Sequence, residues 1–141
     1  ISSTSDVARE QMQAAIGVEQ LARLPSFLAA RELNWRILAQ AFPDHVDSSG
    51  GAYYAFAAFP KTNAGRDTVR RRLRAEGIET AVYYDPPLPL LPYYVRKYGY
   101  RAGQFPVAER IAGKSIALPV GPHLKEKDMS RIVKEFRHAC G

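Results

Sequence analysis

Apolar residues recur every three or four positions through the first 42 residues, and this spacing predicts helices. One set runs through residues 7–24 and a second through residues 27–42. Pro25 stands between them, and Ser26 is a residue type that often begins a helix, so we predict two helices with a break between them. The apolar positions are Val7, Met12, Ala15, Ile16, Leu21 and Leu24, and then Phe27, Leu28, Leu33, Ile37, Leu38 and Phe42.

The rest of the chain alternates between short apolar runs and further helical patterns. Strands are predicted at 53–59, 78–84 and 115–118. A helix over 64–76 is predicted to begin at a cap on Asn63, to bury Val69 and Leu73, and to end at Gly77. Further helices are predicted at 93–98, 107–113 and 124–140, the last with Met129, Ile132, Val133 and Phe136 inside.

This order of elements predicts an α/β fold of the α+β-like kind. It has a small three-stranded sheet covered by helices and preceded by a two-helix segment. We divide the chain into a polar lead-in (1–5), a helical segment (6–42) and a small α/β domain (53–141), which together form one structural unit.

Composition removes several classes of protein. The 141 residues carry a net charge of +6 and a single cysteine, so disulfide scaffolds and cysteine-based zinc sites are excluded. No apolar run reaches the roughly 18 residues of a membrane span. The first residues lack the layout of a secretory signal, and we expect a cytoplasmic protein without a membrane partner.

Known catalytic and metal-binding patterns are missing from the sequence. The three histidines, His45, His123 and His138, are far apart and lack the spacing of metal ligands, so no metal site is predicted. Neither a nucleophile elbow nor a phosphate-binding glycine loop is present. Cys140 is a poor candidate nucleophile, because no neighbour in sequence would lower its pKa.

Five arginines on the helix at 64–76 suggest two interpretations. They can form an ordinary solvated face, since arginine favours helices and these positions spread around the axis. Alternatively, Arg66 and Arg70 can bind an anion. A nucleic-acid partner is not expected, because such proteins usually add an exposed aromatic platform or a recognition motif.

The segment after the second predicted strand is the most informative one. Residues 83–92 read YYDPPLPLLP, with two tyrosines and a carboxylate at a strand end, followed by a stretch stiffened by prolines. A rigid loop at a strand end can form the wall of a binding site or a structural cap over the sheet, and the pattern leaves both open. The candidate substrate-binding residues are Tyr83, Tyr84 and Asp85.

Several motifs together resemble one enzyme family. Residues 12–24 (MQAAIGVEQLARL), 66–84 (RDTVRRRLRAEGIETAVYY), 105–110 (FPVAER) and 116–119 (IALP) are similar, in order and spacing, to segments of the DegT/StrS family of pyridoxal-phosphate-dependent nucleotide-sugar aminotransferases. The resemblance runs over most of the chain. It covers only the carboxy-terminal part of the family's sequence, which forms the small domain of fold type I aminotransferases.

The resemblance implies amino transfer from an amino acid, usually glutamate, to a keto-sugar nucleotide in the intact enzyme. Family members hold pyridoxal phosphate on a lysine in a larger amino-terminal domain, and none of the lysines here has that lysine's sequence context. The chain alone is therefore expected to bind no cofactor, to lack a catalytic residue and to be inactive. In the proline-rich loop, Pro89 and Leu91 replace the family's histidine and glutamine, which removes two hydrogen-bonding side chains.

Two alternatives and one further expectation complete the prediction. The runner-up is a non-catalytic binding or interaction module that reuses this domain. A nucleic-acid-binding domain rests only on net charge and the arginine helix. Separation from a larger domain would expose apolar surface on the first two helices, so we expect a homo-oligomer.

Overall fold

A computed structural model describes residues 4–45, 51–62 and 65–141 of the chain. The predicted cap at Asn63 falls outside these residues, as do residues 1–3 of the predicted lead-in. Two single-turn 3-10 helices, at Pro43–His45 and Leu88–Leu90, accompany the main elements. In chain order these are α1 (Thr4–Ala41), β1 (Phe56–Ala58), α2 (Arg66–Ala75), α3 (Pro92–Tyr98), α4 (Pro106–Lys114), β2 (Ile116–Leu118) and α5 (Glu126–Cys140).

The first element is one helix of 38 residues, so the prediction of two helices was wrong. Pro25 lies inside α1 and removes one backbone donor, which leaves the carbonyl of Leu21 without its helical partner. Ser26 does not cap a new helix, because its hydroxyl donates instead to the carbonyl of Arg23 at 2.7 Å. The flanking alanine, leucine, glutamine and arginine residues favour helix strongly enough to continue through the proline.

Only the last two turns of α1 reach the core. Described side chains up to residue 26 are exposed, so the predicted stripe at residues 7–24 covers no other described element. Leu38 and Phe42 are buried as predicted. Leu33 is 62% exposed, so its predicted place on the buried side of the helix was wrong. Among the described helices, none combines the length and apolarity needed to cross a membrane.

The sheet has two strands in the described chain, not the three predicted. β1 runs antiparallel to β2, with Phe56 opposite Leu118 and Ala58 opposite Ile116. The second predicted strand, 78–84, is reduced to a single antiparallel bridge at Ala81 on the other side of β2.

Hydrogen bonding on both sides explains why that strand is short. The helix α2 ends in a Schellman motif, in which Gly77 takes a φ of +72° and Ile78 donates its N–H to the carbonyl of Leu73. The prediction that Gly77 ends this helix is thereby confirmed. The N–H of Ile78 is therefore used at the end of α2 and cannot bond to β2. Beyond residue 84, Pro86 and Pro87 have no N–H to donate to a neighbouring strand.

The core lies between the sheet, α2, α5 and the end of α1. The predicted inner residues Val69 and Leu73 of α2 are fully buried, and so is Met129 of α5. A buried polar contact adds to this packing, because Asn34 of α1 donates its amide to the carbonyl of Gly121 at 2.9 Å. The core residues are Leu38, Phe42, Phe56, Ala58, Val69, Leu73, Ile78, Ile116, Leu118, Val120, Met129, Ile132, Phe136 and Ala139.

Candidate functional site

Three tyrosines come together at the edge of the sheet, just after the Ala81 bridge. The ring centroids of Tyr83 and Tyr84 lie 5.7 Å apart, and that of Tyr54 lies 5.9 Å from Tyr83. All three side chains are exposed to solvent. We call Tyr54, Tyr83 and Tyr84 the tyrosine cluster. It presents aromatic faces and phenol groups to the outside at the predicted binding loop.

Tyr54 was missed as a site residue by sequence reasoning. It lies two residues before β1, within the strand that the sequence predicts, and strand alternation predicts only that Tyr53 and Tyr54 point to opposite sides. The structure places Tyr53 partly inside, against Trp35, and Tyr54 outside. A hydrogen bond with Tyr54, aided by desolvation, raises the pKa of Tyr83.

Arg31 completes one side of the tyrosine cluster. Its guanidinium carbon lies 5.9 Å from the centroid of the Tyr54 ring, within the range of a cation–π contact. No sequence pattern pointed to this residue, because α1 and β1 are brought together only by the fold.

Arg66 anchors the predicted binding loop to two helices. Its Nη2 atom lies 2.8 Å from Oδ2 of Asp85, and its Nη1 atom donates to the carbonyl of Ala112 in α4 at 2.6 Å. Its Nε atom lies 3.0 Å from Oδ1 of Asp67. Because its side chain is only 11% exposed and faces two carboxylates, Arg66 holds the loop in place rather than presenting an open cation.

The contact between Arg66 and Asp67 shifts the pKa of both side chains. The hydrogen bond to Asp67 raises the pKa of Arg66. The hydrogen bond from Arg66 is the main cause of the lowered pKa of Asp67, with help from the charge of Arg70. This corner of the molecule is therefore a network of opposite charges.

Three of the remaining arginines of α2, Arg70, Arg71 and Arg74, line one shallow cleft of about 380 Å³ together with Glu79 and Thr80. Arg70 lies 3.6 Å from Asp67 there. Arg72 donates to the carbonyl of Ala139 at the end of α5. The five arginines do not form a single anion-binding face, and Arg66 and Arg70 share one carboxylate.

The proline-rich segment forms a turn beside the site. The 3-10 helix at Leu88–Leu90 contains Pro89, and the backbone N–H of Leu91 donates to the carbonyl of Leu88. Hydrophobic side chains thus occupy the part of this loop where the resembled family has polar ones.

The lysines do not fit the role of a cofactor-holding residue. All six lie in the described part of the chain and all are exposed. Lys61 pairs with Asp44 at 2.6 Å, and Lys97 lies over the rings of Tyr93 and Tyr98. A lysine that forms a Schiff base needs a sheltered site that favours its neutral form, and none of these positions offers one.

Other chemistry is also sparse in the described residues. They contain no group of three or more His, Cys, Asp or Glu side chains placed to hold a metal ion. Partial burial raises the pKa of the Cys140 thiol, which makes it a weaker nucleophile at neutral pH. The tyrosine cluster with Arg31, and the loop that Arg66 holds, are the features that fit ligand recognition best.

Comparison with known proteins places this fold in a family. Residues 8–137 match the model of the DegT/DnrJ/EryC1/StrS aminotransferase family. The chain belongs to this family. The resemblance seen in the sequence motifs is thereby confirmed.

Individual family relatives are similar over most of the chain. A DegT DnrJ EryC1 StrS aminotransferase from Brucella abortus superposes with a TM-score of 0.77 at 32% identity, over 92% of this chain and 35% of its own. The pleiotropic regulatory protein of Geobacillus stearothermophilus is 32% identical over 92% of this chain and 37% of its own. A dTDP-3-amino-3,4,6-trideoxy-alpha-D-glucose transaminase from Streptomyces venezuelae is 36% identical over 51% of this chain and 19% of its own.

The chain is much shorter than the relatives that it matches. The chain spans little more than a third of the Geobacillus and Brucella proteins. The family is a sugar aminotransferase family whose cofactor is pyridoxal phosphate. The match therefore shows family membership for a segment about a third as long as these relatives.

Proposed function

We propose that this chain is the carboxy-terminal part of a pyridoxal-phosphate-dependent sugar aminotransferase and forms one wall of its active site. The intact enzyme would transfer an amino group from an amino acid to a keto-sugar nucleotide. Family membership over residues 8–137 supports the assignment, and the name of the Streptomyces venezuelae relative supports a nucleotide-linked sugar as the substrate class. The observation that carries the proposal is the exposed tyrosine cluster at the end of the sheet.

The tyrosine cluster suits a sugar chemically. Each phenol can donate and accept a hydrogen bond, which matches the hydroxyl groups of a sugar. The ring faces can also pack against the apolar C–H faces of a sugar ring. Tyr83 is a donor at neutral pH, as an ordinary tyrosine is, and its raised pKa keeps it a donor further into the alkaline range. Tyr83 and Tyr84 therefore bind and orient the substrate in this proposal, and Tyr54 extends their surface.

Asp85 and Arg66 have a supporting part in the same wall. The Asp85 carboxylate is paired with Arg66 at 2.8 Å, and Arg66 is tied in turn to α4 through the Ala112 carbonyl. A charge-assisted pair of this kind fixes the end of the loop next to Tyr84. We therefore assign Asp85 to holding the substrate-binding loop in position.

The cofactor would be held by residues outside this chain. Pyridoxal phosphate needs a lysine to hold it, and the six lysines here are exposed surface residues. We accordingly propose that the chain alone does not transfer amino groups.

A titration tests the absence of a cofactor lysine. The protein is mixed with pyridoxal phosphate, the aldimine absorbance is followed, and the sample is reduced with borohydride before labelled peptides are mapped. We expect no saturable band and only sparse labelling spread over several lysines. A full-length family aminotransferase, treated in the same way, serves as the positive control. Stoichiometric labelling of one lysine would contradict the proposal and identify a shortened enzyme.

A non-catalytic binding module is the second candidate. It is favoured by the Geobacillus relative, whose name describes a regulatory protein and which is similar over 92% of this chain. The enzyme hypothesis predicts amino transfer when the rest of an aminotransferase is supplied. The binding-module hypothesis predicts none.

A further inference from the structure

We infer that Arg31 is the residue that binds the diphosphate group of a nucleotide sugar at the tyrosine cluster. The inference rests on the proposed function and adds the part of the substrate that the tyrosines do not explain. It also moves the anion-binding role from Arg66 and Arg70 of α2 to a residue of α1.

Packing holds Arg31 next to the cluster. Trp35 lies one helical turn after Arg31, on the same face of α1, and its ring contacts Tyr53 at 5.6 Å and Phe56 at 5.7 Å. These contacts lock this face of the helix against β1. The guanidinium of Arg31 is thereby held over Tyr54.

Charge distinguishes Arg31 from its neighbours. In the described part of the chain, no carboxylate forms an ion pair with Arg31. The nearest acidic residue in sequence, Glu32, is paired with Arg36 at 2.6 Å. Asp85, at the other end of the cluster, is neutralised by Arg66. An anion that approaches the tyrosine cluster thus meets the positive charge of Arg31, while Glu32 and Asp85 are each paired with another arginine.

The guanidinium group suits a diphosphate. Its planar set of donors can bind two phosphate oxygens at once, which a lysine cannot do in the same way. Contact with the face of Tyr54 leaves the donor edge of the guanidinium available for hydrogen bonds. The sugar attached to the diphosphate would then extend toward Tyr83 and Tyr84.

Arg66 and Arg70 are weaker candidates for the same role. Arg66 is largely buried and bonded to two carboxylates and a carbonyl. Arg70 lies 3.6 Å from Asp67, in a cleft that Arg71, Arg74 and Glu79 also line, so a phosphate there would meet two carboxylates beside the three arginines. Displacing those contacts would cost much of the energy gained from the phosphate.

The test is nucleotide binding by the chain itself. UDP and dTDP are titrated calorimetrically, and inorganic pyrophosphate is followed by the fluorescence of Trp35, the chain's one tryptophan and a near neighbour of Arg31. The wild-type protein is compared with Arg31→Ala, Arg31→Lys and Arg23→Ala. Arg23→Ala is the matched control, because it removes an arginine of the same helix that is paired with Glu19 and leaves the pair of Glu32 with Arg36 intact.

We expect Arg31→Ala to weaken UDP, dTDP and pyrophosphate binding about ten- to hundredfold, the effect of losing a hydrogen bond to a charged group. Arg31→Lys should fall between wild type and Arg31→Ala, and Arg23→Ala should bind as wild type does. Uridine, which has no phosphate, should bind equally to all four proteins.

Two results would overturn the inference. One is equal affinity of wild type and Arg31→Ala for the three phosphate ligands, and the other is no saturable binding by the wild type. Either result would remove Arg31 from the site and leave the proposed amino transfer intact, because amino transfer is measured separately in a hybrid enzyme with the cofactor-binding part supplied. Circular dichroism on each variant confirms that the helices are retained.

Discussion

Single side chains in this protein take roles that depend on partners far away in sequence. Arg66 illustrates the point, because its partners Asp85 and Ala112 lie 19 and 46 positions along the chain. The sequence correctly marked the arginine-rich helix and the loop at 83–92, but it could not reveal that one holds the other. Arg31 beside Tyr54 was missed for the same reason, since no local pattern records a contact between α1 and β1.

Replacing Arg66 tests its role as an anchor. We expect Arg66→Ala to lower the free energy of unfolding by about 1–3 kcal/mol, because the carbonyl of Ala112 and the carboxylate of Asp85 lose their donor. Arg71→Ala is the control on the same helix, since Arg71 is exposed and donates to the Thr68 hydroxyl. Its effect should stay within about 0.5 kcal/mol. Urea denaturation measures both, and equal stability of the two variants would refute the anchor.

The same variant carries a pH signature. The pKa of Asp67 is lowered in the folded state, so the stability from its pairing with Arg66 is complete above the unfolded pKa of about 3.9. It is lost as the pH falls through the lower, folded value. The difference in stability between wild type and Arg66→Ala should therefore be constant from neutral pH to about pH 5 and should shrink below about pH 4. A difference that grows on acidification would contradict the pairing.

At the level of elements, the spacing of apolar residues predicted the helices well and the strands less well. The helices α2 to α5 lie close to their predicted ranges, and two of them end at a local stop, Gly77 after α2 and the αL residue Gly99 after α3. The pattern at 78–84 suits a strand, but hydrogen bonds at its start and prolines at its end leave one bridge. Pro25 was overvalued as a helix breaker, because strong helix formers on both sides outweigh one lost hydrogen bond.

Substituting Pro25 tests the account of α1. Pro25→Ala restores the N–H that the carbonyl of Leu21 lacks, so we expect higher helix content and slower amide exchange around residues 21–25. The unfolding of the core, followed by Trp35, should not change, because described side chains up to residue 26 are exposed. Gly17→Ala is a matched comparison within the same exposed half, with nothing within 4 Å of the added carbon. A loss of helix in Pro25→Ala would contradict a continuous α1.

At the level of the whole molecule, the first half of α1 has no described partner. Large apolar side chains are exposed there, and the 100° turn per residue places them on different sides of the helix. Exposed apolar side chains in this number indicate an interaction surface. We propose that a second copy of the chain covers this surface. The residues concerned are Met12, Ile16, Val18, Leu21 and Leu24.

Self-association is the expected consequence for the isolated chain. Sedimentation velocity over a range of concentrations should show an oligomer that dissociates on dilution. The double change Ile16→Glu with Leu21→Glu should shift this equilibrium toward monomer, because it places charge on the apolar surface. The control Gln13→Glu with Gln20→Glu adds the same charge at positions that are already polar and should have a smaller effect. A monomer at every concentration would contradict the proposal.

The measurement that tests the central proposal most directly is amino transfer by a hybrid enzyme. Residues 8–137 replace the segment that they match in a dTDP-sugar transaminase, and the hybrid is loaded with pyridoxal phosphate and given glutamate and the keto-sugar nucleotide. We expect amino transfer, and we expect the hybrid with Tyr83→Ala and Tyr84→Ala to be about ten- to hundredfold slower. A folded, cofactor-loaded hybrid that transfers no amino group, beside an active parent enzyme, would contradict the account and favour the non-catalytic binding module.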